Sequence, residues 1–439
     1  MKNGNHKHGL VHFTGIGGIG VSALAQWYKH QGWQVQGSDS TRSLVTDSLK
    51  TAGIEIFISQ NAAQKINQNV DLLIYSNAIP ANHPERERAK RLRIRQFCYP
   101  QALGELTAQK KTIAVCGTHG KSTTTSMVAL ILEEAKFDPT VIVGTRIPQF
   151  KNRNFKFGRS PWLVIEADEY REAFLSYVPQ AIIATNVEAE HLDYYKNFAH
   201  VKRAFRKFFN RLKPKGILLL NSEDTFLNTV KIRRDTRVRF YSHTGRRAKE
   251  IAKLIKVPGF HNLSNACAAD ALAGALGIKK QIRNHALAKF KGTWRRFEFR
   301  GHFQGADVFD DYAHHPTEIK ATLQGARQMY PRARIICVHQ PHHTSRLRHL
   351  FHDFVIAFAE ADRVIILETY KVQGREVEKA DRNKTALKLA EKISESKPAA
   401  YAARPGDVLK LLKKEVKAGD VIIIMGAGDI TEIAGKLTV

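Results

Sequence analysis

Thr112-Ile113-Ala114-Val115-Cys116-Gly117-Thr118-His119-Gly120-Lys121-Ser122-Thr123 is the stretch that decides the architecture. An apolar strand over residues 111–116 runs into a glycine turn and then into a helical pattern over residues 123–135. Glycines let backbone N–H groups converge on phosphate oxygens, and the helix adds the positive end of its dipole. In such a loop Lys121 neutralises the outer phosphates and the Ser122 hydroxyl sits on Mg²⁺. The spacing G-x-x-G-K-S is two residues shorter than the common G-x-x-x-x-G-K-[ST]. A chance glycine turn would supply one of these features, whereas here strand, loop, Lys-Ser pair and helix come in order.

Upstream, a strand at 10–14 leads into Gly15-Ile16-Gly17-Gly18-Ile19-Gly20 and a helical pattern at 21–30. Gly15, Gly17 and Gly20 fit G-x-G-x-x-G, and Asp39 follows nineteen residues after Gly20, where a ribose-contacting acid is expected. This loop should cradle the diphosphate of a second nucleotide. An NAD-dependent oxidoreductase fits these glycines too, but leaves the loop at 117–122 without a use. Downstream, strands at 306–309 and 334–338 precede a strand at 421–425 and Gly426-Ala427-Gly428.

Short apolar strands alternating with helical segments predict parallel sheets flanked by helices. A chain of 439 residues exceeds what one core holds. The expectation is an α/β protein of three domains. Residues 1–107 form an N-terminal Rossmann-like domain, 108–292 a central P-loop ATPase-like parallel sheet, and 293–439 a C-terminal Rossmann-like domain.

Two central strands end in acids. Trp162-Leu163-Val164-Ile165 runs into Glu166-Ala167-Asp168-Glu169, and Ala181-Ile182-Ile183-Ala184-Thr185 into Asn186-Val187-Glu188-Ala189-Glu190-His191-Leu192-Asp193. Carboxylates at the ends of buried strands are costly unless they meet metal or basic groups. In open α/β sheets ligands bind at that edge, so both clusters should face the phosphates. Mg²⁺ takes oxygen ligands from few protein groups. Solvated loop acids are the bland alternative.

Composition bounds the rest. Hydrophobic residues make up 43% and charged residues 25%, as in globular proteins. No apolar run approaches the roughly 20 residues that span a bilayer, and the polar first nine residues do not resemble a signal peptide, which predicts a cytoplasmic protein without membrane insertion. Cys98, Cys116, Cys267 and Cys337 form no C-x-x-C pair, so neither a zinc knuckle nor a redox motif is indicated. The net charge of +28 suits polyanionic partners. The basic residues are spread along the whole chain, at 90–95, 202–213, 231–234, 295–296 and 410–417, which reads as a general surface trait and not as a specific nucleic-acid site.

Several further stretches complete a pattern. They are His12-Phe13-Thr14-Gly15, Gly259-Phe260-His261-Asn262 with Asn265, Arg295-Arg296-Phe297-Glu298, Asp310-Asp311-Tyr312-Ala313-His314-His315-Pro316-Thr317-Glu318-Ile319, His339-Gln340-Pro341-His342 and Gly426-Ala427-Gly428-Asp429-Ile430. With the two loops and the acidic strand ends, the chain resembles the Mur ligases over nearly its whole length. It is most similar to the branch that adds L-alanine to UDP-N-acetylmuramate. Tyr177-Val178-Pro179-Gln180-Ala181 followed by Thr185-Asn186 favours that branch over the recycling ligases, which add a preformed peptide.

The resemblance implies ATP as cosubstrate, Mg²⁺, an acyl-phosphate intermediate, and UDP-N-acetylmuramate and L-alanine as substrates. It assigns Gly15, Ile16, Gly17, Gly18, Gly20, Asp39 and Ser76 to the UDP-sugar. Gly117, Thr118, His119, Gly120, Lys121, Ser122, Thr123, His261, Asn262 and Asn265 go to ATP, and Ser122, Glu166 and His191 to the metal. Lys121, Glu166, His191, Arg296 and His315 are the expected catalytic residues, and Arg346 and Arg348 lie on the amino-acid side. The third domain is expected to close over the site and exclude water. The histidines at 314, 315, 339, 342 and 343 would also suit a transition metal, although Asp310, Asp311 and the arginines point to anion handling. His191 and His315 are both candidate bases.

The chain departs from the family pattern at Arg171, at Glu190 and over Lys371-Val372-Gln373-Gly374-Arg375-Glu376, and neither Lys202 nor Lys207 is assignable as a carbamylated lysine.

Overall fold

A computed structural model describes residues 9–370 and 385–438, with backbone alone at residues 192 and 193. The divergent stretch at 371–376 lies outside the described residues. Three sheets carry the fold. The first contains β1 (Leu10–Thr14), β2 (Gln34–Asp39), β3 (Glu55–Ile58), β4 (Val70–Tyr75) and β5 (Arg95–Cys98), in the order β3-β2-β1-β4-β5, all parallel. The second contains β6 (Lys111–Cys116), β7 (Thr140–Ile147), β8 (Arg153–Lys156), β9 (Trp162–Glu166), β10 (Ala181–Ala184), β11 (Ile217–Asn221) and β12 (Arg237–Tyr241). Its order is β12-β11-β10-β6-β9-β7-β8, parallel except for the β7–β8 pair.

The third sheet contains β13 (Glu298–Phe303), β14 (Ala306–Asp311), β15 (Ile335–His339), β16 (Arg363–Leu367), β17 (Ala399–Ala402) and β18 (Val421–Met425). Its order is β13-β14-β18-β15-β16-β17, with only β13 antiparallel. The molecule is thus a three-domain α/β structure with mostly parallel sheets. The helix pattern expected at 21–30 starts two residues earlier, at Ile19–His30, and the one expected at 123–135 occupies Lys121–Glu134.

Central strands are buried along their length, as at β11, β15 and β18, because helices cover both faces of a parallel sheet. That is why Ile-Ile-Ile-Met and Leu-Leu-Leu runs read as strands without alternation. Parallel direction also gathers the segments that follow β6, β9 and β10 at one edge of the central sheet. In the first sheet the order reverses between β1 and β4, and Ser76 N–H, just beyond β4, donates to Thr14 O at 3.0 Å. Such a reversal opens a crevice at the strand ends.

The chain divides into two compact units. The first runs to Ile255 and includes Ser264–Phe290, and it holds the first two sheets; the second joins Lys256–Leu263 to residues from Lys291 onward. The division falls inside the helix Phe260–Ala275. Among the described residues, no helix is long and apolar enough to cross a membrane.

Candidate functional site

At the end of β6, Gly117 has φ +137° and Gly120 has φ +83°, both in the region that L side chains avoid. A Cβ on Gly117 would stand 2.0 Å from Thr185 Oγ1, and one on Gly120 2.4 Å from Asn265 Oδ1. The loop is braced from β10. Thr118 N–H donates to Asn186 O at 3.0 Å, His119 N–H to Asn186 Oδ1 at 2.8 Å, and Thr185 Oγ1–H to His119 O at 2.6 Å. Glu188 N–H donates to Thr118 Oγ1 at 2.8 Å, and His119 lies 3.5 Å from the Glu188 carboxylate. Ser122 and Thr123 open the helix that follows, with Thr123 buried.

The Lys121 ammonium folds back into the loop. It donates to Gly117 O at 2.6 Å and Thr118 O at 3.2 Å, and it meets both Glu169 oxygens at 3.2 and 3.0 Å. Burial works against the Lys121 charge, but the Glu169, Asp168 and Glu166 carboxylates outweigh it and raise its pKa. Burial likewise disfavours the Glu169 charge, yet Lys121 and His191 bring its pKa below the ordinary value. Glu169 is buried, and Lys121 is its counterion.

Glu166 ends β9 and accepts from Gly144 N–H at 2.8 Å. Among the described residues, Asp168, Glu169 and His191 of this unit come within metal-binding reach of one another. His191 has φ +56° and points its ring to Glu169 at 3.5 Å. Sequence reading quoted Asp168 and Glu169 but singled out Glu166. The signal that could have found Glu169 was the need of a buried carboxylate for a basic group, with Lys121 the nearest. Lys202 lies over the Phe198 ring at 4.2 Å, and Lys207 pairs with Glu172 at 3.2 Å.

The first glycine loop has Gly15 at φ +76°, and Gly15 and Ile16 N–H both donate to Ser38 O. Ile16 is buried, and a Cβ on Gly15 would stand 3.0 Å from Ser76 Cβ. A Cβ on Gly17 would meet Asp39 Oδ2 at 2.8 Å, and one on Gly20 would meet Tyr99 OH at 2.7 Å. Gly18 caps the helix. Asp39 accepts from Gly17 N–H at 2.8 Å, so it holds the loop's own backbone.

Beneath this loop lies a network that sequence reading missed. Glu85, 1% exposed, accepts from Thr14 Oγ1 at 2.6 Å, Ser38 Oγ at 2.7 Å and Ala62 N–H at 3.0 Å, and it lies 3.0 Å from His12 Nε2. Burial pushes the Glu85 carboxyl up, but the His12, Thr14 and Ser38 donors win and hold it at about 2.

In the second unit Arg295 and Arg296 differ. Arg295 is buried and donates to Asp310, Gly426 O and Gly428 O, while Arg296 is half-buried and reaches Glu318 at 3.5 Å. Asp311 accepts from Phe297 and Ala313 N–H, both at 2.7 Å. Its burial raises the carboxyl to about 6 against the opposing charge of Arg296. His315 caps the helix Pro316–Met329, its Nδ1 accepting from Thr317 N–H at 3.3 Å.

Asn262 Nδ2–H donates to Pro258 O at 2.7 Å within its own turn, and a Cβ on Gly259 would stand 2.6 Å from the His261 ring. Asn265 instead belongs to the first unit and lies against Gly120. Arg346 and Arg348 share the six-residue helix Thr344–His349 but face different sides, Arg346 half-buried and Arg348 exposed.

Comparison with known proteins follows the same segments. Residues 10–111 match the description "Mur ligase family, catalytic domain", 115–273 "Mur ligase middle domain" and 295–428 "Mur ligase, glutamate ligase domain". A protein of Alkaliphilus metalliredigens described as a UDP-N-acetylmuramate–L-alanine ligase is 36% identical over 98% of this chain and 97% of its own. One of Clostridium tetani with the same description is 38% identical over 97% of each. The crystal structure of the UDP-N-acetylmuramate-alanine ligase of Thermotoga maritima superposes with a TM-score of 0.80, covering 98% of both chains at 29% identity.

Proposed function

The chain belongs to the Mur ligase family, and on that premise we propose that it joins L-alanine to the lactyl carboxylate of UDP-N-acetylmuramate at the expense of ATP, a step in peptidoglycan precursor synthesis. Relatives described by that reaction align with it almost end to end. We place the reaction in the cytoplasm, where ATP is supplied. The observation that carries the reading is the Lys121 ammonium, held in the braced loop by Gly117 O and Glu169.

A carboxylate does not condense with an amine unaided, because its oxygen is a poor leaving group. Attack of a carboxylate oxygen on the γ-phosphorus forms a C–O–P linkage and expels ADP. The alanine nitrogen then adds to the acyl carbon, the C–O bond breaks, phosphate leaves with the electron pair, and the surplus proton passes to a base. Phosphoryl transfer is catalysed mainly by position and charge. Lys121 supplies charge to the phosphates, and Glu169 keeps it protonated and aimed. Thr185 and Asn186 hold the loop rigid, and Asp39 with Ser38 does the same for the glycine loop under the sugar diphosphate.

Asp168, Glu169 and His191 lie within ligand reach of one another, and with the oxygens of Ser122 and Glu166 they would offer the hard donors that suit Mg²⁺. Bound there, the ion would neutralise phosphate charge. His315 uses Nδ1 as an acceptor, so its neutral ring carries the proton on Nε2 and offers a donor. His191 then remains the candidate base. Arg296, Arg346 and Arg348 are the second unit's cations for anionic groups.

The intermediate is directly testable. With ATP and UDP-N-acetylmuramate but no alanine, hydroxylamine should trap an acyl hydroxamate in step with ADP formation. ADP without hydroxamate would remove the acyl phosphate from the account.

A further inference from the structure

The two helices that begin at the two anion loops end on one groove. Ile19–His30 starts at the first glycine loop, Lys121–Glu134 at the phosphate loop, and both C-terminal turns line a groove of roughly 700 Å³ in the first unit. Its opposite wall is β8 with the turns around it. That volume is in the range of small-molecule sites.

The groove combines flat rings with an excess of positive charge, Lys151, Arg153, Lys156, Arg159 and Lys289 standing against Glu133, Glu134 and Asp138. His30 stacks on Phe157 with ring centres 4.9 Å apart and planes 18° from parallel, and Phe155 closes against His30 at 5.5 Å. Each acid of the lining meets a basic group: Glu133 and Asp138 share Lys156 at 3.0 and 2.7 Å, and Glu134 meets Lys289 at 3.3 Å and the His285 ring at 2.9 Å. Lys151, Arg153 and Arg159 line the same groove and are exposed; Lys151 and Arg153 form no side-chain ion pair among the described residues, while Arg159 sits beside Asp138, its backbone N–H donating to Oδ2 at 2.9 Å. Gln149 donates its amide to Lys289 O at 3.0 Å, while its buried Oε1 has no donor among the described residues.

Rings offer a stacking face, three cations offer an anion seat, and a buried carbonyl oxygen asks for an N–H or O–H. We propose that this groove is a third ligand site, separate from both anion loops, for a small molecule with a flat aromatic ring and a phosphate group. The ring lies against His30 and Phe157, and the phosphate meets Lys151, Arg153 and Arg159 on the strand side. The negative helix ends are on the other wall, covered by Lys156 and Lys289. Next to the lining residues of β8, buried Asn154 donates to Ile19 O and Ser22 Oγ in the first turn after the glycine loop. An occupant therefore rests on the strand that pins that turn.

The test uses the full chain saturated with ADP and UDP-N-acetylmuramate, so that both loops are filled. Fluorescence anisotropy of flavin mononucleotide is the probe, with riboflavin as the ring without phosphate and inorganic phosphate as the anion without ring. Expected are saturable one-to-one flavin mononucleotide binding, at least tenfold weaker binding of riboflavin, and no displacement by phosphate at equal concentration. Arg153→Glu with Arg159→Glu, and separately Phe157→Ala, should each weaken binding at least tenfold. Turnover without the probe should stay unchanged in the arginine variant, since both residues are exposed. No saturable binding, equal binding of riboflavin, or native-like binding in both variants would overturn the proposal.

Discussion

Lys121 and Glu169 form the pair on which the chemistry turns. The ammonium is held among loop carbonyls and a buried carboxylate, so its charge is already in the loop before phosphate arrives. Lys121→Ala should cut ADP formation by about a thousandfold, because a preorganised charge is removed from the transferring group. Turnover within tenfold of the native chain would deny it that role. Glu85 makes a prediction of another kind. Its folded pKa of about 2 lies below the ordinary 4.5, so it contributes stability above pH 4.5 that is lost as pH falls through its folded value. Glu85→Gln should melt at a lower temperature at neutral pH and lose less between about pH 5 and about pH 2.5 than the native chain. Parallel acid limbs for the two proteins would show that the carboxylate does not carry this dependence. None of this was legible in Pro84-Glu85-Arg86-Glu87-Arg88, whose run of charges reads as a solvated helix face. Its burial comes from β1 and β2, more than forty residues away in sequence.

Loops and strands were the legible elements. Glycine spacing after an apolar strand announces both anion loops, because the backbone itself must curl around phosphate, and only glycine allows that curl. Gly117→Ala illustrates the demand, since the Cβ would meet Thr185 at 2.0 Å in a conformation with φ +137°. It should lower the melting temperature and weaken ADP binding at least tenfold in calorimetry. Gly245→Ala is the control: φ is +85° but nothing lies within 4 Å of the added carbon, so the cost should be strain alone, about 1 kcal/mol, with ADP binding intact. Equal losses of ADP affinity in both would refute the loop-specific argument. Helix positions were less legible than loops. Arg346 and Arg348 read together as residues of the amino-acid side, yet two positions on a helix point apart, and only Arg346 is half-buried. Asn262 and Asn265 lie in one motif, but Asn262 closes its own turn while Asn265 lies against Gly120.

For the molecule as a whole, three parallel-rich sheets followed from alternation of apolar strands and helical stretches, since a strand buried on both faces needs no polar alternation. The pairing of β8 against β7, and the groove that this edge makes with the ends of two helices, depended on packing that no local pattern encodes. The charge of +28 is distributed over the chain. The direct test of the central claim is phosphate release from ATP with Mg²⁺ and UDP-N-acetylmuramate, run separately with L-alanine, glycine, L-serine and a tripeptide. Release that requires the sugar nucleotide and is fastest with L-alanine is the predicted result. Preference for the tripeptide, or release that ignores the sugar nucleotide, would contradict it.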